Sequence, residues 1–255
     1  MIRSLYTAVS GMISLEAKQD TISSNLANAN TVGYKTDNLA FKKFEDVLIE
    51  NHDKRIGNRN VSNILGSLSF GNKIDAVDTL YTQGIIEDTG KSTDFAIEGR
   101  GFFTVNNGTE NYYTRDGHFH VDNNGFLVND SGYNVLGINS NTGRQESIYI
   151  GDSKISTDSA GNISLDGVPS YTMDTVDFNN YDSLKKVGNN LIQGDNPQRV
   201  NASVRGSSLE KSNVNVTNEM INMLTTMRSF ETNQKVVQSL DETLGKAVNE
   251  VGVVR

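Results

Sequence analysis

The chain has 255 residues, and its 31 acidic and 23 basic side chains give a net charge of −8, which argues against binding to nucleic acid through a basic surface. It contains no cysteine, which excludes disulfides, thiolate zinc sites and cysteine nucleophiles. No apolar run approaches the roughly 18 residues of a membrane-spanning helix, and residues 1–4 lack the pattern of a cleavable signal peptide.

Glycine and charge divide the chain into a middle and two ends. Of the 23 glycines, 20 lie between residues 33 and 207. Residues 1–35 carry a net charge of +1 and residues 208–255 a net charge of −1, so the whole excess of acid belongs to residues 36–207. Near-neutral ends can approach copies of themselves with little repulsion, and this pattern favours assembly through the ends of the chain.

The first segment predicts a long amphipathic helix. Apolar residues recur at alternating spacings of four and three, which is the pattern of a heptad seam. Asn28, Asn30, Thr31 and Gly33 follow, and these residue types terminate helices. The predicted seam consists of Leu5, Ala8, Met12, Leu15, Ile22 and Leu26.

The segment after this helix is less regular. Residues 51–75 are polar and show no clear periodicity, and we interpret them as a linker or an ordered loop within residues 36–80.

The middle of the chain reads as short β-strands joined by tight turns. Phe102–Val105 and Tyr112–Thr114 flank Asn-Asn-Gly, and Phe119–Val121 and Phe126–Val128 flank Asp-Asn-Asn-Gly. Asn-Gly between alternating apolar residues is a strong signal for a hairpin. The spacing Asp-x-x-Gly-x-apolar that begins at Asp122 occurs again at Asp158, which is a weak local echo.

The last segment predicts a second, longer helix. Asn213 or Asn215 is a suitable N-cap, and Glu219 suits the first turn. Apolar residues again alternate at spacings of three and four, with Gln234 and Asp241 as polar positions in the line. The predicted seam consists of Met220, Met223, Met227, Phe230, Val237, Leu244, Val248 and Val251.

The sequence predicts no catalytic, cofactor or metal site. His118 and His120 are two residues apart, but no carboxylate accompanies them in a recognised ligand spacing. Gly99-x-Gly101 resembles the start of a dinucleotide fingerprint, but the third glycine is absent and a strand, not a helix, follows. We therefore expect no enzyme.

Together these patterns predict an α+β fold. Long N- and C-terminal helices pair as a coiled coil, and a central, mainly-β domain is built of short antiparallel strands. The predicted division is 1–35 for the first helix, 36–80 for the linker segment, 81–207 for the β domain and 208–255 for the second helix. Because two paired helices cannot bury all of their apolar surface, we expect copies of the chain to cover the rest.

The free chain is then expected to have largely disordered ends, since ordering each residue costs about 1 kcal/mol or more without a partner surface. The alternative from a different class is a β-rich surface binding module, such as an adhesin, whose helices fold back on their own domain.

Four stretches resemble the signatures of the flagellar basal-body rod and hook protein family. Ser24–Lys35 is similar to its N-terminal signature, Asp94–Phe103 to its central motif and Tyr113–Phe119 to the strand pair after that motif. Leu209–Val214, Glu219-Met220 and Arg228–Lys235 are similar to its C-terminal signature. The residues that carry the resemblance are Asn25, Leu26, Ala27, Asn28, Thr31, Gly33, Lys35, Gly99, Gly101, Phe102, Phe103, Thr114, Arg115, Gly117, Leu209, Glu210, Ser212, Asn213 and Val214.

Within the family, the length, the central motif and Phe44–Leu48 are most similar to the distal rod branch. The proximal rod paralogue is the alternative, and Arg228–Glu231 departs slightly towards it. Hook proteins are generally longer.

The resemblance implies a structural protein of the bacterial flagellar basal body, located where the rod crosses the periplasm or cell wall. It implies passage through the flagellar type III export apparatus without a cleaved signal, and helical polymerisation into the hollow shaft that transmits torque from motor to hook. The implied partners are copies of the chain, neighbouring rod and hook proteins and the export apparatus, with no nucleic acid and no small-molecule substrate. Residues 36–75 are expected to reinforce contacts between subunits.

Overall fold

The computed structural model describes residues 2–56, 59–158, 161–188 and 190–251. A long helix lies near each end of the chain, and the middle is mainly β with antiparallel pairing, which confirms the predicted α+β class. The chain divides into two compact units. The helical unit comprises the described parts of residues 1–26, 37–78 and 216–255, and the β unit comprises those of residues 27–36 and 79–215.

The elements follow one another along the chain as two helices and a series of strands. They are α1 (Ile2–Ala27), β1 (Asp37–Lys43), β2 (Val47–Ile56), β3 (Arg59–Leu68), β4 (Asn72–Thr79), β5 (Ile86–Asp88), β6 (Phe95–Glu98), β7 (Phe102–Asn106), β8 (Asn111–Thr114), β9 (Phe119–Val121), β10 (Leu127–Asn129), β11 (Asn134–Asn139), β12 (Gln145–Ser147), β13 (Ile155–Thr157), β14 (Asn162–Leu165), β15 (Val168–Met173), β16 (Thr175–Asp177), β17 (Lys185–Gly188), β18 (Leu191–Gln193), β19 (Gln198–Arg199), β20 (Ser203–Gly206), β21 (Ser208–Glu210) and α2 (Val216–Lys246), which continues as a π-helical turn (Ala247–Val251).

α1 ends and α2 begins where the sequence indicates. α1 stops at Ala27, and Gly33 follows with a φ of 68°, a value that glycine adopts without steric cost. α2 begins at Val216, directly after Asn215. No helix in the described part of the chain combines the length and apolar character needed to cross a membrane.

The helical unit also contains two antiparallel strand pairs. β1 pairs with β4, and β2 pairs with β3 as a long hairpin with two register shifts. The interpretation of residues 51–75 as a linker or loop is therefore wrong. The hydrophobic pattern of this segment did not predict strands, because a strand that buries neither face does not need alternating apolar residues. The described side chains of β4, for example, are all exposed or half-buried.

The β unit is organised around one sheet with a branched path. Its longest run of paired strands has the order β13-β14-β15-β11-β7-β8-β18-β17. β20 pairs with β6 and β21 pairs with β5, so the end of the β unit returns to its beginning. These pairings bring the residues just before α2 beside those at the start of the central motif.

Both predicted hairpins are present. β7 pairs with β8, and β9 pairs with β10. In the second turn, the Asp122 carboxylate accepts the backbone N–H groups of Asn124 and Phe126, both at 2.9 Å, and these hydrogen bonds hold its pKa below the ordinary value. Asp158 likewise accepts the N–H of Asn162 at 2.9 Å, so the sequence echo corresponds to a repeated hydrogen bond from an Asp carboxylate to the backbone four residues later.

The core of the β unit is formed by apolar side chains from many short strands. Phe103 and Phe119 meet edge to face, with ring centroids 5.4 Å apart. A second, smaller cluster lies around Phe102. The buried residues of the main cluster are Phe95, Ile97, Phe103, Val105, Phe119, Leu127, Val135, Ile148, Ile150, Ile163, Met173, Leu191 and Val204.

Candidate functional site

A buried carboxylate, Glu210, lies at the centre of the motif residues in the β unit. Its Oε1 accepts a hydrogen bond from Lys35 Nζ at 2.6 Å, and its Oε2 accepts one from Arg115 Nη1 at 3.0 Å. The three side chains have exposed fractions of 0% for Glu210, 3% for Lys35 and 4% for Arg115. The backbone N–H of Gly84 also donates to Oε1, at 2.8 Å. We call Lys35, Arg115 and Glu210 the motif junction.

The two cations of the junction have further acceptors. Lys35 Nζ donates to the carbonyl of Thr82 at 2.7 Å, and Arg115 Nη2 donates to the carbonyl of Gly99 at 2.7 Å. Burial lowers the pKa of Lys35, and the charge and hydrogen bond of Glu210 act in the opposite direction. Because the junction excludes water, its charges depend on one another for stabilisation.

Two glycines allow the backbone to close around the junction. The N–H of Gly33 donates to the backbone carbonyl of Glu210 at 2.8 Å. A Cβ at Gly33 would overlap the backbone of Arg115 and Asp116, and a Cβ at Gly117 would overlap the carbonyl oxygen of Phe95. These motif positions are therefore glycines for reasons of space.

Asn213 joins three segments of the β unit. Its Oδ1 accepts from the N–H of Thr36 at 2.8 Å and from the hydroxyl of Thr36 at 2.6 Å. Its Nδ2 donates to the carbonyls of Leu80 and Thr82, at 2.8 and 3.1 Å. The Asn213 side chain is therefore used in tertiary contacts, and Asn215 is the residue that directly precedes α2.

Asn25 has a similar role within the helical unit. Its side chain is buried, its Nδ2 donates to the carbonyl of Asp37 at 2.8 Å, and its Oδ1 accepts from the N–H of Asp37 at 3.0 Å. The amide therefore forms a reciprocal pair with the backbone and fixes the start of β1 to the last turns of α1.

The remaining motif residues occupy positions of several kinds. Phe102 and Phe103 belong to the core, and the hydroxyl of Thr114 donates to the carbonyl of Asn190 at 2.9 Å. Asn28 directly follows α1, and its backbone carbonyl accepts from the N–H of Thr31 at 3.1 Å. Half-buried residues are Leu26, Thr31, Leu209, Ser212 and Val214; Ala27 is exposed, and Gly99 and Gly101 have positive φ values.

Each of the two histidines lies near a different carboxylate. His118 Nδ1 lies 3.0 Å from Asp94 Oδ1, and His120 Nδ1 lies 3.8 Å from Asp130 Oδ1. Among the described residues, no group of three or more histidine, cysteine or acidic side chains is arranged to hold a metal ion.

Each terminal helix has one covered face. On α1, Ala8 and Ile22 of the predicted seam are buried, and Leu5, Met12, Leu15 and Leu26 are half-buried. On α2, Met223, Phe230, Val237 and Leu244 are half-buried, whereas Met220, Met227 and Val248 are exposed; the side chain of Val251 lies outside the described residues. The covered line of α2 is completed by residues outside the predicted seam: Thr226, Asn233, Leu240 and Ala247.

Two contacts join the covered faces of the helices. A Cβ at Gly11 would lie 3.1 Å from Asn233 Nδ2, and Asn25 Nδ2 lies 3.5 Å from Glu219 Oε2. Asn25 lies two heptads after Gly11 in α1, and its partner Glu219 lies two heptads before Asn233 in α2.

The other face of α1 is apolar and exposed. Tyr6, Val9 and Ile13 have exposed fractions between 39% and 65%. They form one wall of a groove of about 570 Å³, and residues around β1, β2 and β4 form the other. Arg3 lies at this groove with its guanidinium 5.3 Å from the ring centroid of Phe70. The lining residues are Arg3, Tyr6, Val9, Ser10, Ile13, Phe44, Val47 and Phe70.

α2 has an exposed apolar face as well. Met220, Leu224 and Met227 follow one another at spacings of four and three, and their exposed fractions lie between 40% and 57%. An apolar stripe of this kind on a helix normally contacts another surface.

Comparison with known proteins places the chain in one family. Residues 5–35 match the family described as flagella basal body rod protein, residues 96–168 the flagellar hook protein FlgE/F/G D1 domain, and residues 205–250 the flagellar basal body rod FlgEFG protein C-terminal region. The flagellar basal-body rod protein FlgG of Bacillus subtilis (strain 168) is 34% identical over 98% of this chain and 99% of its own length. The chain belongs to the flagellar basal-body rod protein family.

Other relatives agree with this assignment. FlgG of Borreliella burgdorferi is 34% identical over 98% of each chain, and the flagellar hook-basal body complex protein FlhO of Bacillus subtilis is 30% identical over the full length of both chains.

The three matched regions of this rod family protein meet at the motif junction. Lys35 comes from the first region, Arg115 from the second and Glu210 from the third. The sequence identified all three as motif residues but not as one cluster. The signal available was the charge of these three residues, but the central and C-terminal motifs contain other charged residues as well, so pairing them requires the strand topology.

Proposed function

We propose that the chain is a structural subunit of the distal flagellar rod that polymerises with its own copies through its terminal helices. The resulting hollow shaft would transmit torque from motor to hook, and no substrate is turned over. The observation that carries the proposal is that both helices present a second apolar face, and both faces are exposed in the single chain. Surfaces of this kind are stabilised when another molecule covers them.

Within one subunit, we propose that α1 and α2 pair as an antiparallel coiled coil. The contacts Gly11–Asn233 and Asn25–Glu219 fit one constant register, because both helices move by two heptads between them. The half-buried line of α2 repeats at spacings of three and four over its whole length, as such a seam requires.

The proposed location is the basal body, where the rod crosses the periplasm or cell wall. The chain would reach it through the flagellar export apparatus without a cleaved signal, and would contact neighbouring rod and hook proteins there. The assignment to the distal branch is supported by near-full-length similarity to proteins named FlgG. Hook protein FlgE of Treponema pallidum matches over 51% of this chain and 28% of its own length, which supports a relation to hook proteins through shared parts only.

The strand-rich segment after α1 is proposed to reinforce contacts between subunits. The β2–β3 hairpin leaves Leu48, Ile64, Leu65 and Leu68 largely exposed, so it has apolar surface to offer to a neighbour.

The test is electron microscopy of basal bodies from cells that lack the chain. We expect a shaft that stops short of the hook, and restoration of the full shaft by the complete chain but not by a chain without residues 216–251. The truncated chain is first checked for secretion, so that loss of assembly is separated from loss of export. Shafts of normal length without the chain, or with the truncated chain, would contradict the proposal.

A second measurement concerns the free chain. If the ends depend on neighbours, circular dichroism of dilute monomer should show less helix than the assembled polymer, since helices without a partner surface are marginal in water. Equal helix content before and after polymerisation would indicate helices that are complete in the monomer, as in the alternative of a binding module with folded-back helices.

A further inference from the structure

The two exposed helix faces match in spacing. On α1 the exposed residues Tyr6, Val9 and Ile13 follow at intervals of three and then four residues. On α2 the exposed residues, taken in reverse order from Met227 through Leu224 to Met220, also follow at intervals of three and then four. Two helices laid antiparallel therefore place Tyr6 opposite Met227, Val9 opposite Leu224 and Ile13 opposite Met220.

The charges at the ends of the two faces are of opposite sign. Arg3 is the only charged residue among residues 2–15, and it lies at the groove beside Phe70. In the antiparallel arrangement it is nearest to Glu231, which lies one turn beyond Met227 on the same face of α2 and is exposed. Glu219, the acidic residue near the other end, lies close to Asn25 of its own chain instead.

These faces cannot satisfy each other within one chain. The contacts of Gly11 with Asn233 and of Asn25 with Glu219 already join the two helices through their other faces. While α2 contacts α1 of its own chain through one face, it cannot turn its exposed face towards the same helix. The exposed α2 face is therefore available only to a different molecule.

We propose that the groove between α1 and the strand pairs of the helical unit receives the Met220–Glu231 face of α2 from a second copy, antiparallel to α1. This inference rests on the proposed function and names the joint between subunits. Because the groove and the α2 face are different surfaces of the same chain, each copy offers both, and the contact is heterologous. Contacts of this type extend without closing and generate an open helical filament.

The absence of native cysteine allows a direct test by disulfide cross-linking. The double variant Tyr6→Cys with Met227→Cys is expressed in place of the native chain, and isolated basal bodies are oxidised and run on a non-reducing gel. We expect a ladder of dimers, trimers and higher species. A disulfide within one chain gives only monomer, and each single variant gives no species beyond a dimer.

The matched control is Tyr6→Cys with Met220→Cys. Met220 is seven residues from Met227, which is about 10 Å along the helix, and a disulfide requires Cα atoms within about 7 Å. The ladder should therefore fall to background. Shafts of normal length that give no ladder with the first pair, or equal ladders with both pairs, would overturn the inference while leaving the proposed function intact.

If the cysteine variants build no shaft, charge reversal at Arg3 and Glu231 tests the antiparallel contact instead. Arg3→Glu and Glu231→Arg are each expected to reduce the number of complete shafts, and their combination should restore it. Single reversals that both reduce assembly without mutual rescue would refute the antiparallel contact. Unimpaired assembly in both single variants would refute it as well.

Discussion

The β unit and the helical unit differ in how far they bury their large side chains. In the β unit, the phenylalanines of the central motif are completely buried, and even the charged residues of the motif junction are enclosed with their partners. In the helical unit, Tyr6, Leu224 and many other large apolar residues remain exposed. The β unit therefore has a buried core of its own, whereas the described helices present apolar faces that the single chain leaves exposed.

Under the proposed function, this difference separates two requirements on a subunit of a polymer. The buried core of the β unit would give the subunit a defined shape. The exposed apolar helix faces would favour association, because a second copy that covers them removes them from water. Substitutions in the two units should consequently alter different measurements.

The largest expected effect is at the motif junction. Glu210→Gln keeps the shape of the side chain but leaves the buried Lys35 and Arg115 without an anion, and we expect a loss of about 3–5 kcal/mol in the free energy of unfolding. Chemical denaturation measures it. Glu87→Gln is the matched control, because the Glu87–Lys211 pair at 2.6 Å is half exposed on both sides and should change stability by less than about 1 kcal/mol. Equal effects would mean that burial does not distinguish the two pairs.

The next effect concerns pH and Asp116. Burial raises the pKa of Asp116 to about 6, so between pH 3.8 and 6 the folded chain binds more protons than the unfolded chain. The stabilisation by Asp116 is therefore fully present below pH 3.8 and is lost as the pH rises through 6. Over this range the free energy of unfolding falls by at most about 3 kcal/mol on account of Asp116. Asp116→Asn should remove this loss, so thermal unfolding at pH 7 should occur at a higher temperature than in the native chain. An unchanged pH profile in the variant would show that another group is responsible.

A smaller effect compares two helical glycines. A Cβ added at Gly245 would have no neighbouring atom within 4 Å, so Gly245→Ala should stabilise α2 by about 0.5–1 kcal/mol through helix propensity. Gly11→Ala gains the same propensity, but its Cβ would lie 3.1 Å from Asn233. We therefore expect a smaller gain or a loss in thermal stability. An equal gain at both positions would argue against close helix contact at Gly11.

The smallest effect on the single chain is expected at the exposed helix faces. Leu224→Gln should change the free energy of unfolding of the monomer by less than about 0.5 kcal/mol, because the side chain is already in water. It should nevertheless reduce polymerisation, measured by light scattering or sedimentation. If the Leu224→Gln variant unfolds more easily but still polymerises normally, the prediction is wrong, because Leu224 then stabilises the single chain and not the polymer.

The sequence predicted those parts of the fold that depend on local pattern. Heptad spacing located both helices, and the Asn-Gly turns located the hairpins built from β7 to β10. The strands β1 to β4 escaped prediction because their described side chains are mostly exposed or half-buried, and strands with so little buried face carry no clear alternation.

The seam of α2 illustrates a different difficulty. Met223, Phe230, Val237 and Leu244 are on the covered line. Between them, the predicted pattern ran through Met220, Met227 and Gln234, whereas the covered positions are Glu219, Thr226 and Asn233. An apolar pattern cannot distinguish a face covered by the same chain from one left exposed. At the motif junction the limit was distance in sequence, since nothing local connects Lys35, Arg115 and Glu210.

That distance has a consequence for the order of events in a newly made molecule. Lys35 and Glu210 are separated by 175 residues, and Arg115 and Glu210 by 95. A polypeptide that emerges N-terminus first presents both cations long before their carboxylate, and contacts between such distant positions form slowly. The motif junction therefore forms only after the chain has emerged as far as Glu210, and a shorter piece of the chain cannot form it.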